Sequence, residues 1–349
     1  MRVAALLSCL FPTLAMAGPR LNEIQAIGSH NSYHLAPPAA LLSTLKTFNK
    51  DAGQWNYSHP PLAAQLDLGV RQFELDVFSD EKGGLFANPL GLKLAGLRGT
   101  KLPPHDPDGL LKKPGVKVLH VPDVDCWSNT PLLTGGLTEM LAWSDQNPRH
   151  LPVMILIECK DQPEPPLPTK PELFTRERLL ALEKEILSVI PASRVLRPDD
   201  VRGNSPTLRE AVVQKGWPDV DTLRGKFVFC LDNTDAIRSR YLEGNPSLEG
   251  RLIFANAPKT DDPSAAWFKC NDPVRQFEDI QRLVKAGFLV RTRANVNKPD
   301  EKMRDKAFAS GAQWVSTDYF AGPERVAFPD DRTVRANPLR SKGGVDPEP

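Results

Sequence analysis

The sequence predicts an α/β protein, a (β/α)8 barrel of TIM type with long loop insertions and an extended C-terminal arm. Three observations lead there. Eight short apolar runs recur with helical or loop material between them, at residues 23–27, 70–78, 116–121, 152–158, 226–231, 252–255, 288–293 and 313–316, the pattern of alternating strand and helix units. Several runs are almost continuously apolar, as in Val153-Met154-Ile155-Leu156-Ile157, which suits strands buried on both faces of a parallel sheet. Eight such strands close a barrel, and a chain of 349 residues is long enough to build one.

Residues 1–17 read as an export signal. Arg2 gives a positive start, residues 3–14 an apolar core, and Ala15-Met16-Ala17 a small-x-small cleavage site before Gly18. The apolar core is too short for a bilayer of about 30 Å, so the mature protein is expected to be secreted or periplasmic. The barrel is assigned to residues 18–324 and a tail to residues 325–349. Its first run leads into Gly28-Ser29-His30-Asn31-Ser32-Tyr33. In the second, strand alternation puts Glu74 and Asp76 on one face and Phe73, Leu75 and Val77 on the other. A connection over residues 78–116, rich in Gly, Pro and Lys, separates it from the third run, which ends Val118-Leu119-His120; loops this long are uncommon unless functional.

The fourth run ends Glu158-Cys159-Lys160, with Glu158 and Lys160 sharing a face, and a Pro-rich insertion follows at residues 162–171. Residues 175–190 and 272–286 carry helical periodicity. The seventh run leads through Arg291-Thr292-Arg293-Ala294-Asn295 and the eighth to Thr317-Asp318-Tyr319, after which the chain turns polar.

With 44 Lys and Arg against 43 Asp and Glu, the net charge of +1 argues against a general nucleic-acid binder, though not against a local basic pocket. No later stretch is long and apolar enough for an integral membrane span. Proline, at 34 residues, is about twice its usual share of roughly 5%, so ordered, extended loops are expected. Cys126, Cys159, Cys230 and Cys270 match no zinc spacing and are expected as structural thiols or as one to two disulfides.

In a barrel of this type, functional side chains sit at the C-terminal strand ends. Two strand carboxylates about 7 Å apart repel unless a cation lies between them. Asn31, Glu74, Asp76 and Glu158 are oxygen ligands suited to Ca²⁺ or Mg²⁺. His30 and His120 flank them as proton carriers, a set suited to phosphodiester cleavage. Lys160, Arg291 and Arg293 could hold phosphate charge, whereas Arg291, Arg293, Asn295 and Asp318 at the last two strands also suit structural pairs. His34, His59 and His150 lack such a context and read as packed or surface residues.

The order His30-Asn31, Glu74-x-Asp76, His120, Glu158 resembles the phosphoinositide-specific phospholipase C family, and the ligand quartet resembles its calcium-dependent, secreted, single-domain form. Members that dispense with the metal place an arginine near one of these carboxylates. The resemblance implies Ca²⁺ on Asn31, Glu74, Asp76 and Glu158, His30 and His120 as the catalytic pair, and a monomer acting on a phospholipid at a membrane surface. The implied reaction is attack of the inositol 2-hydroxyl on phosphorus, releasing diacylglycerol and a cyclic inositol phosphate. His120 is then the general acid and His30 the base or a charge stabiliser, with Glu74 or Glu158 an alternative base. Two other readings are a glycerophosphodiesterase or phospholipase D-like member of the same superfamily, and an inactive inositol-phosphate-binding barrel. Asn directly after His30, where the phosphodiesterase relatives carry Arg, and Glu at the fourth strand favour the first reading.

Overall fold

The computed structural model describes residues 18–341; the export signal assigned to residues 1–17 and the end of the tail, residues 342–349, lie outside the described residues. The strands are β1 (Ile24–Ser29), β2 (Gln72–Phe78), β3 (Lys117–Val118), β4 (Val153–Cys159), β5 (Phe227–Leu231), β6 (Phe254–Ala255), β7 (Trp267–Lys269), β8 (Leu289–Arg293), β9 (Trp314–Thr317) and β10 (Val334–Ala336). Eight of them lie in the order β6-β5-β4-β2-β1-β9-β8-β7, each pair of neighbours parallel. A parallel bridge between Asn256 and Trp267 joins the two ends of that order.

The predicted barrel is therefore present, but its membership differs at one strand. The run 116–121 does not enter the barrel: Lys117 and Val118 pair antiparallel with Phe78 and Val77. β4 occupies one edge of β2 along its length, and β1 holds the other only near Gln72, so the far end of that edge is left for β3. The eighth barrel strand is instead β7, three residues long, too short to show a period in sequence.

The helix expected over residues 175–190 spans Arg176–Val189, with the Thr175 side chain accepting from the Arg178 N–H and Leu179, Leu182 and Ile186 buried. The second begins later than its periodicity, at Phe277, and runs to Ala286. Asp272 Oδ1 accepts from the N–H groups of Val274 and Arg275 at 3.1 and 3.0 Å, holding that stretch as a turn. The C-terminal arm is docked rather than trailing: β10 pairs antiparallel with Ile24, Gln25 and Ala26 of β1. Cys126, Cys159, Cys230 and Cys270 are buried free thiols, so the disulfide alternative does not hold among them.

A second, smaller core matters for the site. Leu41, Leu42 and Leu45 of the helix Ala39–Phe48 pack with Val121, Val124, Cys126 and Trp127, and with the half-buried Leu92 of the helix Leu90–Leu97. The long connection thus supports the loop after β3. No helix among the described residues is long and apolar enough to cross a membrane.

Candidate active site

Strand register sets the acidic cluster. Asp76 of β2 lies directly beside Glu158 of β4, and one oxygen from each of Glu74, Asp76 and Glu158 falls within 4.8 Å of the others. Phe73, Leu75 and Val77, on the opposite face, are completely buried, so alternation fixes where both acids point. Lys160 Nζ sits 2.8 Å from Glu158 Oε1 and 3.3 Å from Asp76 Oδ2. Arg291 donates to Glu74 Oε2, to Asn271 Oδ1, and to Ser316 Oγ at 3.0 Å. Asp76 Oδ1 is buried without a hydrogen-bond partner.

These surroundings separate the two β2 acids. Burial raises the pKa of Asp76, and Glu158 adds to it, against the opposing charge of Lys160. Burial acts the same way on Glu74, but Arg291, together with His30, Arg293 and Lys269, outweighs it and holds Glu74 below the usual carboxylate range.

His30 follows β1, its N–H donating to Thr317 O at 3.3 Å, which brings it beside Asp318 after β9. His30 Nδ1 is 2.9 Å from Asp318 Oδ1, and its Nε2 is 4.0 Å from Glu74 Oε1. Asn295 Nδ2 donates to the other Asp318 oxygen at 2.9 Å. Burial would raise the Asp318 pKa, but the His30 hydrogen bond and charge win and lower it to about 2. His59 Nε2 donates to His30 O at 3.0 Å, and burial lowers its pKa to about 4, so it is neutral. Asn31 adopts a positive φ of 44°, which asparagine tolerates. Ser32 staples this turn to β2: its N–H donates to Glu74 O at 3.0 Å and its Oγ accepts from Glu74 N–H at 2.8 Å.

His120 sits in a tight turn after β3 rather than at a barrel strand end. Asp125 N–H donates to Val121 O at 2.8 Å, folding the turn so that Asp125 Oδ2 lies 2.7 Å from His120 Nδ1. Burial lowers the His120 pKa, but the Asp125 hydrogen bond and charge overcome it and the net shift is upward. Asp125 also takes His34 Nε2, at 2.8 and 3.0 Å from its two oxygens.

His30, Asn31 and His120 line one cavity of about 310 Å³, with Trp55, Tyr57 and Asp318. Of the expected phosphate-binding cations, Lys160 is committed to two carboxylates. Arg291 is fully buried and pairs with Glu74, so it does not face substrate. Arg293 lies 3.4 Å from His30 Nδ1 and 3.7 Å from Asp318 Oδ2. Sequence reasoning left Asp318 as an ion-pair partner and missed Asp125, His34 and His59 as neighbours of the catalytic candidates. A further pair, the half-buried Lys269 and the buried Asp232 at 2.5 Å, lies at the ends of β7 and β5.

The family model described as "Phosphoinositide phospholipase C, Ca2+-dependent" matches residues 19–338. Among solved structures, the chain is similar to a calcium-dependent phosphoinositol-specific phospholipase C from a Gram-negative bacterium, Pseudomonas sp., in its apo form; the TM-score is 0.57 and identity 15%, covering 93% of this chain and 97% of that one. It is also similar to a Ca²⁺-dependent phosphatidylinositol-specific phospholipase C from Streptomyces antibioticus, with TM-score 0.59 and 19% identity over 91% of this chain and 99% of that one. At these identities the structural likeness speaks for the barrel fold. No curated protein sequence matches.

Proposed function

The chain belongs to the calcium-dependent phosphoinositide phospholipase C family, and from that premise we propose that it cleaves phosphatidylinositol-type phosphodiesters to diacylglycerol and a cyclic inositol phosphate. One observation carries the reading: two histidines, each with Nδ1 on a carboxylate, face a shared cavity beside three clustered acids. Glu74, Asp76, Glu158 and Asn31 would hold the metal. Their all-oxygen donor set and the unpartnered, buried Oδ1 of Asp76 fit a hard divalent cation. When bound, calcium would supply positive charge to phosphoryl and hydroxyl oxygens.

The protein's own groups account for the proton transfers. Asp318 on Nδ1 leaves His30 Nε2 free to accept the proton of the inositol 2-hydroxyl as its oxygen bonds to phosphorus. Asp125 on Nδ1 of His120 directs the other nitrogen into the cavity, where it donates a proton to the glycerol oxygen as the P–O bond breaks. Arg293, beside His30, supplies charge toward the phosphate.

The surface beside the cavity suits a membrane-borne substrate. Phe48 and Leu97, exposed by 72% and 85%, project from the neighbouring helices Ala39–Phe48 and Leu90–Leu97. Within residues 39–55 and 90–101 the exposed charged side chains are Lys46, Lys50, Lys93, Arg98 and Lys101 against one acid, Asp51, with Arg98 over the Phe48 ring, in a chain whose overall charge is only +1. Such a patch fits an anionic lipid surface. Export through residues 1–17 would bring it to one outside the cytoplasm, and N-terminal sequencing of the mature protein should start at Gly18.

The test is hydrolysis of phosphatidylinositol, glycerophosphocholine and sphingomyelin with calcium or with EGTA. Calcium-dependent cleavage of phosphatidylinositol is expected. Activity on the other two alone would overturn the proposal in favour of a glycerophosphodiesterase or phospholipase D-like reaction.

A further inference from the structure

Beside the acidic cluster runs a second chain of buried polar groups. His34 has no solvent exposure, and its ring stacks on Tyr57 with centroids 4.2 Å apart. Its Nδ1 lies 3.0 Å from Tyr57 O, and its Nε2 lies 2.8 Å from Asp125 Oδ2. Both nitrogens therefore meet acceptors, and both are placed to donate. Asp125 is completely buried, and its Oδ2 also takes His120 Nδ1 at 2.7 Å. A carboxylate this deep is costly unless donors converge on it. Here two imidazoles do so on the same oxygen, their rings edge-on with centroids 5.7 Å apart, one sealed in the protein and one open to the cavity, where the His120 side chain is 24% exposed.

We propose that Asp125, locked in place by His34, is the positioning residue for His120. A carboxylate on Nδ1 selects the tautomer with hydrogen there, points Nε2 at the substrate and favours the charged ring. The asymmetry within the chain assigns the roles. His34 cannot reach substrate, because its two nitrogens are spent on Tyr57 O and Asp125; it holds Asp125 so that the carboxylate cannot rotate away from His120. The Trp55 ring meets His120 edge-on at 6.2 Å and bounds its swing on the cavity side. Asp76 and Lys160 act on His120 through charge with opposite signs, which leaves Asp125 as the group bonded to the ring.

The inference rests on the reading in which His120 Nε2–H protonates the departing glycerol oxygen. Its test compares two leaving groups: phosphatidylinositol, which departs as an alkoxide needing a proton, and a nitrophenyl ester of myo-inositol 1-phosphate, whose phenolate departs without one. His120→Ala and Asp125→Asn should each lower kcat/KM on phosphatidylinositol by about 10²-fold or more, and on the aryl ester by less than about tenfold. His34→Gln should show the same selectivity with a smaller loss. If Asp125→Asn lowers both substrates equally, or neither, while His120→Ala stays selective, the positioning role is overturned and the reaction stands. If His120→Ala itself loses both equally, the acid role fails and takes the inference with it. Should Asp125→Asn show no cooperative melt, His34→Gln decides: selective loss supports the role, and unselective or absent loss overturns it.

Discussion

Replacing Asp76 by Asn should reverse its stability rank between calcium-free and calcium-loaded protein. Without metal, three acids share a small volume with two cations, Lys160 and Arg291, and one buried Asp76 oxygen has no partner. Asn removes the charge that Glu74 and Glu158 oppose and offers an amide N–H₂ that can donate to those carboxylates, so a buried polar atom that costs about 1–3 kcal/mol while unsatisfied gains a partner. Against that relief stands the lost contact to Lys160 at 3.3 Å, which keeps Glu158 at 2.8 Å and so forfeits about 1 kcal/mol or less. The variant should therefore gain roughly 1–2 kcal/mol in EGTA, and its Tm should rise by about 2–4 °C for a domain of this size. Calcium at about a hundred times its Kd would stabilise the wild type by about 2.7 kcal/mol; the variant forgoes most of this, and the curves cross. Thermal denaturation across a calcium titration reads both numbers. If Asp76→Asn loses stability equally with EGTA and with calcium, the acidic cluster is structural and the reasoning fails. Wild-type activity that persists in EGTA would likewise point to the Arg291–Glu74 pair as a standing substitute for the metal.

Three further outcomes follow from other parts of the molecule. Arg291→Met leaves Glu74 buried without its hydrogen-bonded cation, so urea denaturation in EGTA should show a loss of about 3–5 kcal/mol; an unchanged midpoint would show that Glu74 does not need its partner. Ser at both Phe48 and Leu97 should raise the apparent KM on phosphatidylinositol vesicles by about tenfold or more while sparing a monomeric short-chain substrate, since each burial in lipid contributes about 1.5–3 kcal/mol; equal effects on both substrates would remove the patch from membrane docking. His150, remote from the site, is buried between Ser144 Oγ and Leu151 O, each 2.6 Å away, and burial lowers its pKa to about 4. The unfolded chain takes up that proton first, near pH 6.5, so this contribution to stability is intact above pH 6.5 and is lost as pH falls toward 4, by roughly 3 kcal/mol. Comparing urea midpoints for wild type and His150→Asn at pH 7 and pH 4.5 should show the gap between them closing; a constant gap would mean His150 is charged in the folded state.

The site was legible where a single strand carried the information. Glu74 and Asp76 share a face because β2 alternates, and Glu158 follows a continuous apolar run, so their convergence needed only the barrel. The strand count came out right for a partly wrong reason. The run 116–121 is apolar because it covers the free edge of β2 and caps a satellite core, which composition does not distinguish from a barrel strand. β7 escaped because three residues cannot display alternation. Asp125 and His34 were not legible at all, since they meet across 91 residues of sequence through a turn whose geometry the sequence states only locally.

The cations at the rim carry the larger lesson. Lys160 and Arg293 lie at strand ends as expected, whereas Arg291 lies mid-strand in β8; phosphate was the natural partner to assign to all three. A barrel mouth that concentrates acids for a metal must also remain folded when the metal is away, and at that point the nearest cations are claimed by the acids. Depth decides which. Arg291, with no exposure, sits under Glu74 and neutralises it permanently; Lys160, with its side chain 31% exposed, bridges Asp76 and Glu158 at the open side. Of the three, Arg293 alone lies beside His30, the proposed base, without a bond to the acidic cluster. The charge offered to a phosphate is thus set less by how many basic residues reach the rim than by which of them the acids leave uncommitted.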